Sequence, residues 1–303
     1  MMKFVEEIER WKNSGAASDD RQGALEKISE SKVIESLRIP SLGRIYRLSH
    51  TLSEDIAYRP THGPFFYSVT LRSVDYHEPF RGHNSNEFGA NIGRLEMSDH
   101  SGTHIDSLNH ISVGGFLHGK IRAADSIGPR GSSTLGIDDV QPVVTRGVVI
   151  DYPRILGVDI AEQGAPNRSD IEKFLKAEGI EVMPGDAVFL YTGASRIWND
   201  HIRFSKLYDN AAGIGLEMAE WMVKHGVSLS GSDSPSTEVS PAEISGSVLP
   251  VHQYLITMNG IRLIDNMKLD ELARDRKYEF LLVCAPLPIR GGTGSPVSPV
   301  AIV

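Results

Sequence analysis

The chain has 303 residues, with 31 basic and 39 acidic side chains, and so carries a formal net charge of −8. Its 40% hydrophobic and 23% charged residues are typical of a globular protein, which excludes the disordered, collagen-like and membrane-embedded classes. The single cysteine, Cys284, excludes disulfide frameworks, CxxC motifs and iron–sulfur clusters held by one chain's thiolates. Any bound metal would therefore need nitrogen and oxygen ligands.

Charge and hydropathy also limit the partners and the location that we expect. The chain has no Lys/Arg-rich run, so we predict no nucleic-acid footprint. Acidic side chains at Glu6 and Glu7 stand where the apolar core of a signal peptide would begin, and no stretch approaches ~18 apolar residues. We therefore expect a cytoplasmic protein that does not engage a membrane.

The pattern of elements along the chain predicts a mixed α/β fold. Residues 2–38 show helical spacing of apolar side chains, with a polar break at 14–20. Seven apolar runs bounded by Gly, Pro or Asp are typical of strands: Ile45–Ser49, Phe65–Arg72, Gly147–Tyr152, Ala187–Thr192, Val227–Ser230, Phe280–Ala285 and Val300–Val303.

Two further helices are predicted between those strands. One covers Asp170–Glu178, with Ser169 as N-cap and Gly179 just past its end, and the other covers Ala211–His225. No repeat or linker divides the chain. We therefore expect a helical N-terminal extension over residues 1–40 and a single α/β domain over residues 41–303.

Four of the eleven histidines fall between residues 100 and 118, where fewer than one would fall by even scatter. Three of them belong to the run His100-Ser-Gly-Thr-His104-Ile-Asp106-Ser-Leu-Asn-His110. In a helix, Asp106 would lie about 200° around the axis from His104, on the far side. In an extended segment, the even-numbered residues face the same way, and Gly102 between the histidines leaves room for an ion. The β-branched Thr103 and Ile105 also favour the extended state.

Two imidazoles and a carboxylate on one side of a strand form a nitrogen–oxygen site for a divalent ion such as Zn²⁺, Mn²⁺ or Fe²⁺. Three protein ligands leave coordination positions open. A metal held in this way can lower the pKa of a bound water to about 7 and supply a nucleophile for hydrolysis. The alternative is that these are ordinary polar residues of a turn.

The run His100–His110 resembles the HxGTHxDxPxH signature of the cyclase family of metal-dependent hydrolases, which includes kynurenine formamidases, isatin hydrolases and a trans-dienelactone hydrolase. Within this run only Leu108 departs, because proline is usual there. Further stretches extend the resemblance over most of the chain: Arg47–His50, Asp186–Gly193, His252 with Leu263–Asn266, and Gly292–Pro296.

The resemblance implies the roles of individual residues. His100, His104 and Asp106 would be the primary ligands of Mn²⁺ or Zn²⁺. His110, His252 and Asp265 match positions that complete the site, bind a second ion or hold water, and the proposed general base is His110 or His252. The family more often has Glu or Gln at the position of Asp265, so the number of ions stays open. We predict positions on the surface or around the site for the other seven histidines: His50, His62, His77, His83, His118, His201 and His225.

The resemblance implies a swivelling β/β/α-type domain, assembled as a homodimer or homotetramer, that acts on a small-molecule substrate. Formamidases of the family are typically shorter than this chain. The length of the chain and its helical extension resemble the longer members, which favours an isatin hydrolase-like enzyme that opens a cyclic amide, imide or lactone. The alternatives are an arylformamidase acting on N-formylkynurenine-type substrates and a non-catalytic metal-binding protein. Ring closure by the same residues is a further possibility.

Overall fold

A mixed β-sheet organises the part of the chain that the computed structural model describes, residues 2–77, 86 and 88–303. The strands in this part are β1 (Ile45–Arg47), β2 (Phe66–Leu71), β3 (Ile92–Glu96), β4 (His104–Asp106), β5 (Ile127–Gly128), β6 (Gly131–Ser132), β7 (Val143–Asp151), β8 (Ala187–Tyr191), β9 (Leu229–Ser232), β10 (Arg262–Asp265), β11 (Glu279–Cys284), β12 (Gly294–Pro296) and β13 (Val300–Ile302).

Short helices surround the sheet. They are α1 (Met2–Asn13), α2 (Glu30–Ser36), α3 (Ser73–His77), α4 (Ala123–Ser126), α5 (Tyr152–Leu156), α6 (Arg168–Glu178), α7 (His201–Ser205), α8 (Leu216–Lys224), α9 (Pro250–His252) and α10 (Asp270–Arg274). A π-helical segment, Gln253–Met258, continues α9 directly. Among the described residues, none of these helices combines the length and the apolar character that a membrane-spanning helix needs.

Nine strands form the main sheet, in the order β1-β13-β11-β7-β8-β9-β10-β4-β12. The four central strands β7, β8, β9 and β10 run parallel to one another, and the strands at both ends pair antiparallel. All five residues of β8 are buried, as its uninterrupted apolar run predicts for a strand covered on both faces. The predicted mixed α/β fold is therefore confirmed.

All seven predicted strands are present, with β7 starting earlier, at Val143. The predicted start of the helix at Ala211 is wrong. Residues 211–214 instead pair with the segment before α9, through the bridges Ala211↔Ser240 and Ile214↔Glu238, and α8 begins only after Gly215. The predicted N-cap of α6 is also wrong, because Asn167 and not Ser169 accepts the hydrogen bond from Asp170 N.

The N-terminal segment is attached to the sheet by buried polar contacts. The fully buried Arg262 of β10 donates to Gln22 O at 2.6 Å and to Arg21 O at 2.7 Å. His118 Nε2 lies 3.0 Å from Asp20 Oδ2. Lys32 of α2 forms a short ion pair with the fully buried Asp186, which precedes β8. The boundary at residue 40 stays a prediction.

We expect Lys32→Met to lower the free energy of unfolding by about 3 kcal/mol, the cost of removing one partner of a buried ion pair. Among the described residues, Asp186 would keep Arg146 Nη1 at 3.3 Å and the backbone N–H of Met183 at 2.8 Å as its remaining donors. Urea unfolding monitored by circular dichroism measures the loss. Lys173→Met, on the exposed face of α6, serves as the control and should stay within about 0.5 kcal/mol of the wild type. Equal stability of the two variants would contradict the assigned role of the pair.

A second, smaller apolar cluster lies apart from the main core. Its buried members are Ile56, Phe65, Ala194, Trp198 and Phe204. They join the segment before β2 to the loop that follows β8.

Candidate metal centre

The register of three neighbouring strands brings together side chains that lie far apart in sequence. Strand β4 lies between β10 and β12, and His104 is directly opposite Asp265 across the β10–β4 pair. Directly opposite residues of antiparallel strands point to the same face, and so do residues two apart in one strand. His104, Asp106 and Asp265 therefore share one face of the sheet.

Asp106 is the centre of a cluster of imidazoles. Its Oδ1 lies 3.0 Å from His100 Nδ1, 3.8 Å from His104 Nε2 and 3.9 Å from His110 Nε2. Its Oδ2 lies 3.7 Å from His252 Nε2. Both oxygens are buried, and neither has a well-aligned hydrogen bond from the described part of the chain.

The predicted extended conformation holds only for part of the motif. His104 and Asp106 belong to β4, but residues 99–103 form bends, so the prediction of one continuous extended face from residue 100 is wrong. Gly102 adopts the left-handed region, with a φ of 61°, and a Cβ there would lie 2.4 Å from Leu52 Cδ2. The left-handed backbone therefore favours glycine at this position, and Leu52 would have to shift to admit a side chain, which the sequence did not predict.

That bend fixes the orientation of His104. The Gly102 carbonyl accepts a hydrogen bond from His104 Nδ1 at 2.8 Å and another from Asn266 Nδ2 at 3.0 Å. Because Nδ1 then carries the proton, the lone pair of Nε2 points toward the carboxylates of Asp106 and Asp265. Nε2 lies 3.7 Å from Asp265 Oδ2.

His100 reaches the same centre from outside β4. Its Nε2 lies 2.9 Å from Thr293 Oγ1, and Thr293 in turn donates to Asp99 Oδ2 at 2.8 Å. The closing loop before β12 thus holds His100 with Nδ1 facing Asp106. His110 completes this side, with its ring centroid 4.1 Å from that of His100.

His252 is held by a buried carboxylate. Glu238 Oε2 accepts hydrogen bonds from both the backbone N and the Nδ1 of His252, each at 2.8 Å. Burial by itself would lower the pKa of His252, but the hydrogen bond and charge of Glu238, with Asp265 and Asp106, raise it to about 9. The Nε2 of His252 is left facing Asp106.

Burial and charge set the other protonation states of the cluster. Burial lowers the pKa of His104 to about 4, and the neighbouring His100 lowers it further. Burial also lowers the pKa of His110 to about 4, against the opposing charge of Asp106. Burial and the charge of Asp106 raise the pKa of Asp265, whereas the surrounding imidazoles, His110 first, hold that of Asp106 low despite its burial. Neutral His104 and His110 beside an ionised Asp106 are therefore in the forms that bind a metal. Burial would lower the pKa of His100, but the hydrogen bond and charge of Asp106 raise it, so His100 and His252 would each release a proton on metal binding.

The cluster fits a divalent ion. Two groups of potential ligand atoms lie within 4.8 Å of one another, His100 with Asp106 and His110, and Asp106 with His252 and Asp265. Donors that share one ion at about 2.1 Å lie roughly 3 to 4 Å apart, which is the spacing around Asp106. Buried carboxylate oxygens without a hydrogen bond would otherwise be costly. The expected divalent metal therefore has a fitting donor set of nitrogen and oxygen atoms.

The sequence matches the model of the putative cyclase family over residues 46–239, more than half of the chain. The chain belongs to this family. A kynurenine formamidase of Bacillus thuringiensis (strain Al Hakam) is 27% identical over 250 residues, which cover 82% of this chain and 93% of that protein. One of Geobacillus thermodenitrificans (strain NG80-2) is 24% identical over the same share of each chain.

Solved structures agree with this assignment. A crystal structure described as a novel cyclase superposes with a TM-score of 0.85 at 25% identity and covers 97% of this chain and 99% of its own. Isatin hydrolase A from Ralstonia solanacearum shares the fold, with a TM-score of 0.64 at 21% identity over 85% of this chain and 91% of its own. The sequence-based assignment to the cyclase family of metal-dependent hydrolases is thereby confirmed.

In this family member the structure brings all six predicted site residues together: His100, His104, Asp106, His110, His252 and Asp265. Their individual roles stay predictions. The two departures from the family pattern differ in setting, because Leu108 is fully buried in the apolar core whereas Asp265 lies within the cluster.

The remaining histidines divide into three groups. His62 lies at the site, with its ring centroid 5.5 Å from that of His100. His50 stacks on Trp198, with the ring centroids 4.2 Å apart. The other three contact residues away from the site: His118 lies beside Asp20, His201 beside Asp55 and His225 beside the carbonyl of Trp221. His83 and the side chain of His77 lie outside the described part of the structure.

Sequence reasoning missed Glu238, because it stands in a Gly/Ser/Pro-rich stretch that reads only as a loop. A metal-binding histidine whose other ring nitrogen donates to a carboxylate loses about 10- to 100-fold in metal affinity when that carboxylate is removed. We therefore expect Glu238→Gln to weaken metal binding by that factor, measured by calorimetry or chelator competition. Glu238→Asp should recover part of the loss, and the exposed Glu181→Gln serves as the control. Wild-type affinity in Glu238→Gln would contradict the positioning role.

Proposed function

We propose that this cyclase-family protein is a metal-dependent hydrolase that opens the carbonyl of a cyclic amide, imide or lactone. The observation that carries the proposal is the buried Asp106 carboxylate, which has four imidazole nitrogens within 3.9 Å and no well-aligned hydrogen bond from the described residues. Such a carboxylate is suited to bind an ion, or to bridge two.

We take the primary ligands from the family motif, and the burial of His104, compared with the partly exposed His110, supports that choice. His100, His104 and Asp106 would hold the ion, and His252 with Asp265 would complete the site or hold a second ion. When bound, a Mn²⁺ or Zn²⁺ ion supplies Lewis-acid polarisation of the carbonyl and lowers the pKa of a coordinated water. Thr293, Gly102 and Glu238 fix the orientations of three of the histidines, so that little reorganisation is needed on binding.

Of the two candidate proton carriers, His110 fits the role better than His252. The side chain of His110 is 23% exposed, whereas that of His252 is 3% exposed. In addition, Nδ1 of His252 is occupied by Glu238 and its Nε2 faces Asp106. A general acid and base must come within hydrogen-bond reach of the substrate, so we assign proton transfer to His110.

The choice of substrate class rests on relatives. Isatin hydrolases share the fold, and isatin is a cyclic amide. The kynurenine formamidases at 24–27% identity favour an arylformamidase as the second candidate. Both reactions replace an amide C–N bond by a carboxylate and an amine, with water as the only co-reactant.

A hydrolysis panel tests the proposal. Protein loaded with Mn²⁺ or with Zn²⁺ would be assayed on isatin, a cyclic imide, a dienelactone and N-formylkynurenine, with Asp106→Asn as the blank. Turnover of a cyclic substrate above the blank supports the proposal, and turnover of N-formylkynurenine alone supports the arylformamidase. Stoichiometric metal without turnover of any member would favour a non-catalytic metal-binding protein.

We further propose that the chain assembles as a homodimer, or as a homotetramer built from it, through the β2–β3 hairpin. This hairpin stands outside the main sheet, and its side chains Phe66, Tyr67, Val69, Ile92 and Leu95 are each about half exposed. A two-fold axis at Leu95 that pairs β3 with its copy would place Arg94 of one chain opposite Glu96 of the other. The exposed apolar strands and this charge complementarity favour a second copy as the occupant.

Light scattering coupled to size-exclusion chromatography tests the assembly. We expect Leu95→Lys to halve the wild-type mass, from dimer to monomer or from tetramer to dimer, because a buried lysine has no partner in that interface. Leu42→Lys, at an exposed position before β1, should keep the wild-type mass. A monomeric wild type, or a Leu95→Lys variant with the wild-type mass, would refute the proposed interface.

A further inference from the structure

A tight turn before β2 begins with Arg59 and ends with a histidine that contacts the metal centre. The turn comprises residues 59–62 and is closed by a hydrogen bond from His62 N to Arg59 O at 2.8 Å, with Pro60 at its second position. At its end, the His62 ring is tilted against His100, with the centroids 5.5 Å apart. Arg59 is thus three residues from a side chain that contacts the cluster.

The Arg59 side chain is half-buried and fixed in position. Its Nη2 donates to Ser236 Oγ at 2.6 Å, and its Cζ lies 5.1 Å from the centroid of the Tyr208 ring. Ser236 is two residues from Glu238, the carboxylate that holds His252. The guanidinium is therefore bound to the segment that carries Glu238.

Among the described residues, the charge of Arg59 has no carboxylate partner within ion-pair distance. The half-buried Arg146, in contrast, pairs with Asp186. The serine hydroxyl uses one of the five N–H donors of Arg59. A fork of donors that is held in place but not neutralised is suited to a carboxylate ligand.

We propose that Arg59 determines specificity by binding a carboxylate group of the substrate, beside the carbonyl that is opened. This inference rests on the proposed hydrolase function and narrows its substrates to amides, imides or lactones that carry a free carboxylate. An arginine that only anchored the turn to Tyr208 and Ser236 would affect all substrates equally. The two roles are separated by comparing an acid with its ester.

The experiment uses matched pairs of substrates with the metal-loaded protein. The pairs are a dienelactone that carries a free carboxylate and its methyl ester, and N-formylanthranilate and its methyl ester. For the wild type we expect kcat/KM to be roughly 10- to 100-fold higher for the acid than for the ester, the usual effect of a charge-assisted hydrogen bond. Arg59→Gln should reduce this ratio to about 1, mainly through a higher KM for the acid, and Arg59→Lys should keep part of it. The exposed Arg122→Gln is the matched control.

An acid-to-ester ratio that is unchanged in Arg59→Gln would overturn the inference, as would a wild type without preference for the acid. If no member is hydrolysed, the proposed function fails, and calorimetry of anthranilate against methyl anthranilate still tests Arg59. Binding of the acid that is selective in the wild type and lost in Arg59→Gln would support it. Equal binding of acid and ester would refute it.

Discussion

Replacing Asp106 by asparagine is expected to remove bound metal and to lower kcat/KM by at least about 1000-fold. Among the described residues, Asp106 is the one side chain that belongs to both groups of potential ligand atoms, and a substitution there affects both groups at once. Asparagine keeps the volume of aspartate but removes the charge that balances the ion. The loss should therefore be one of metal binding and not of packing.

The surrounding imidazoles make this substitution decisive. In the wild type, the His110, His100 and His104 imidazoles hold the pKa of Asp106 low although the side chain is buried. An asparagine would replace one of the two carboxylate oxygens by an NH2 group, which is a hydrogen-bond donor and does not bind a metal ion. Re-orientation cannot correct this, because His100 and His252 approach the two opposite oxygens.

Elemental analysis of the purified variant measures the metal, and circular dichroism verifies folding. Asp151→Asn is a suitable control, since Asp151 is also buried but binds Arg154 N and Tyr278 outside the cluster. That control should retain the metal content of the wild type. A folded Asp106→Asn protein with a full complement of metal would contradict the central place of Asp106.

The sequence predicted the centre of the site because its ligands are local. His104 and Asp106 are two residues apart on one strand, and this spacing determines which face they share in any sheet. The buried strands β7 and β8 were equally readable, because an apolar run without alternation is typical of a parallel strand covered on both sides. Local pattern and final structure agree wherever one element contains the whole signal.

Other parts of the site depend on contacts that no local pattern contains. Glu238 reaches His252 because its segment pairs with residues 211–214. The same pairing delays the start of α8 from the predicted Ala211 to Leu216. Arg59 and His62 lie in a turn, which has no periodicity to reveal the face they occupy. The sequence suggested that Gly102 leaves room for an ion. In the structure, Gly102 forms a bend beside Leu52, and its carbonyl accepts the hydrogen bond that orients His104. Tertiary pairing, and not propensity, decided each of these cases.

Substitutions of His110 and His252 should have different effects, because we assign proton transfer to His110 and metal binding to His252. We expect His110→Gln to lower kcat by about 10²- to 10⁴-fold, the usual contribution of a general acid or base, while bound metal remains. His100, His104 and Asp106 are untouched in this variant and can still hold the ion. His252→Gln, in contrast, is expected to lose metal affinity together with activity, since its Nε2 faces Asp106 and its Nδ1 is held by Glu238.

Metal content and single-turnover rate, measured on the same preparations, distinguish the two histidines. If His110 transfers the proton, His110→Gln keeps the metal-to-protein ratio of the wild type and loses the chemical step. The 3.9 Å distance between His110 Nε2 and Asp106 Oδ1 also allows His110 to be a metal ligand. In that case His110→Gln would bind one ion fewer per chain, or would bind the metal more weakly in parallel with the loss of rate. A loss of metal equal to that of His252→Gln would therefore refute the assignment of proton transfer to His110.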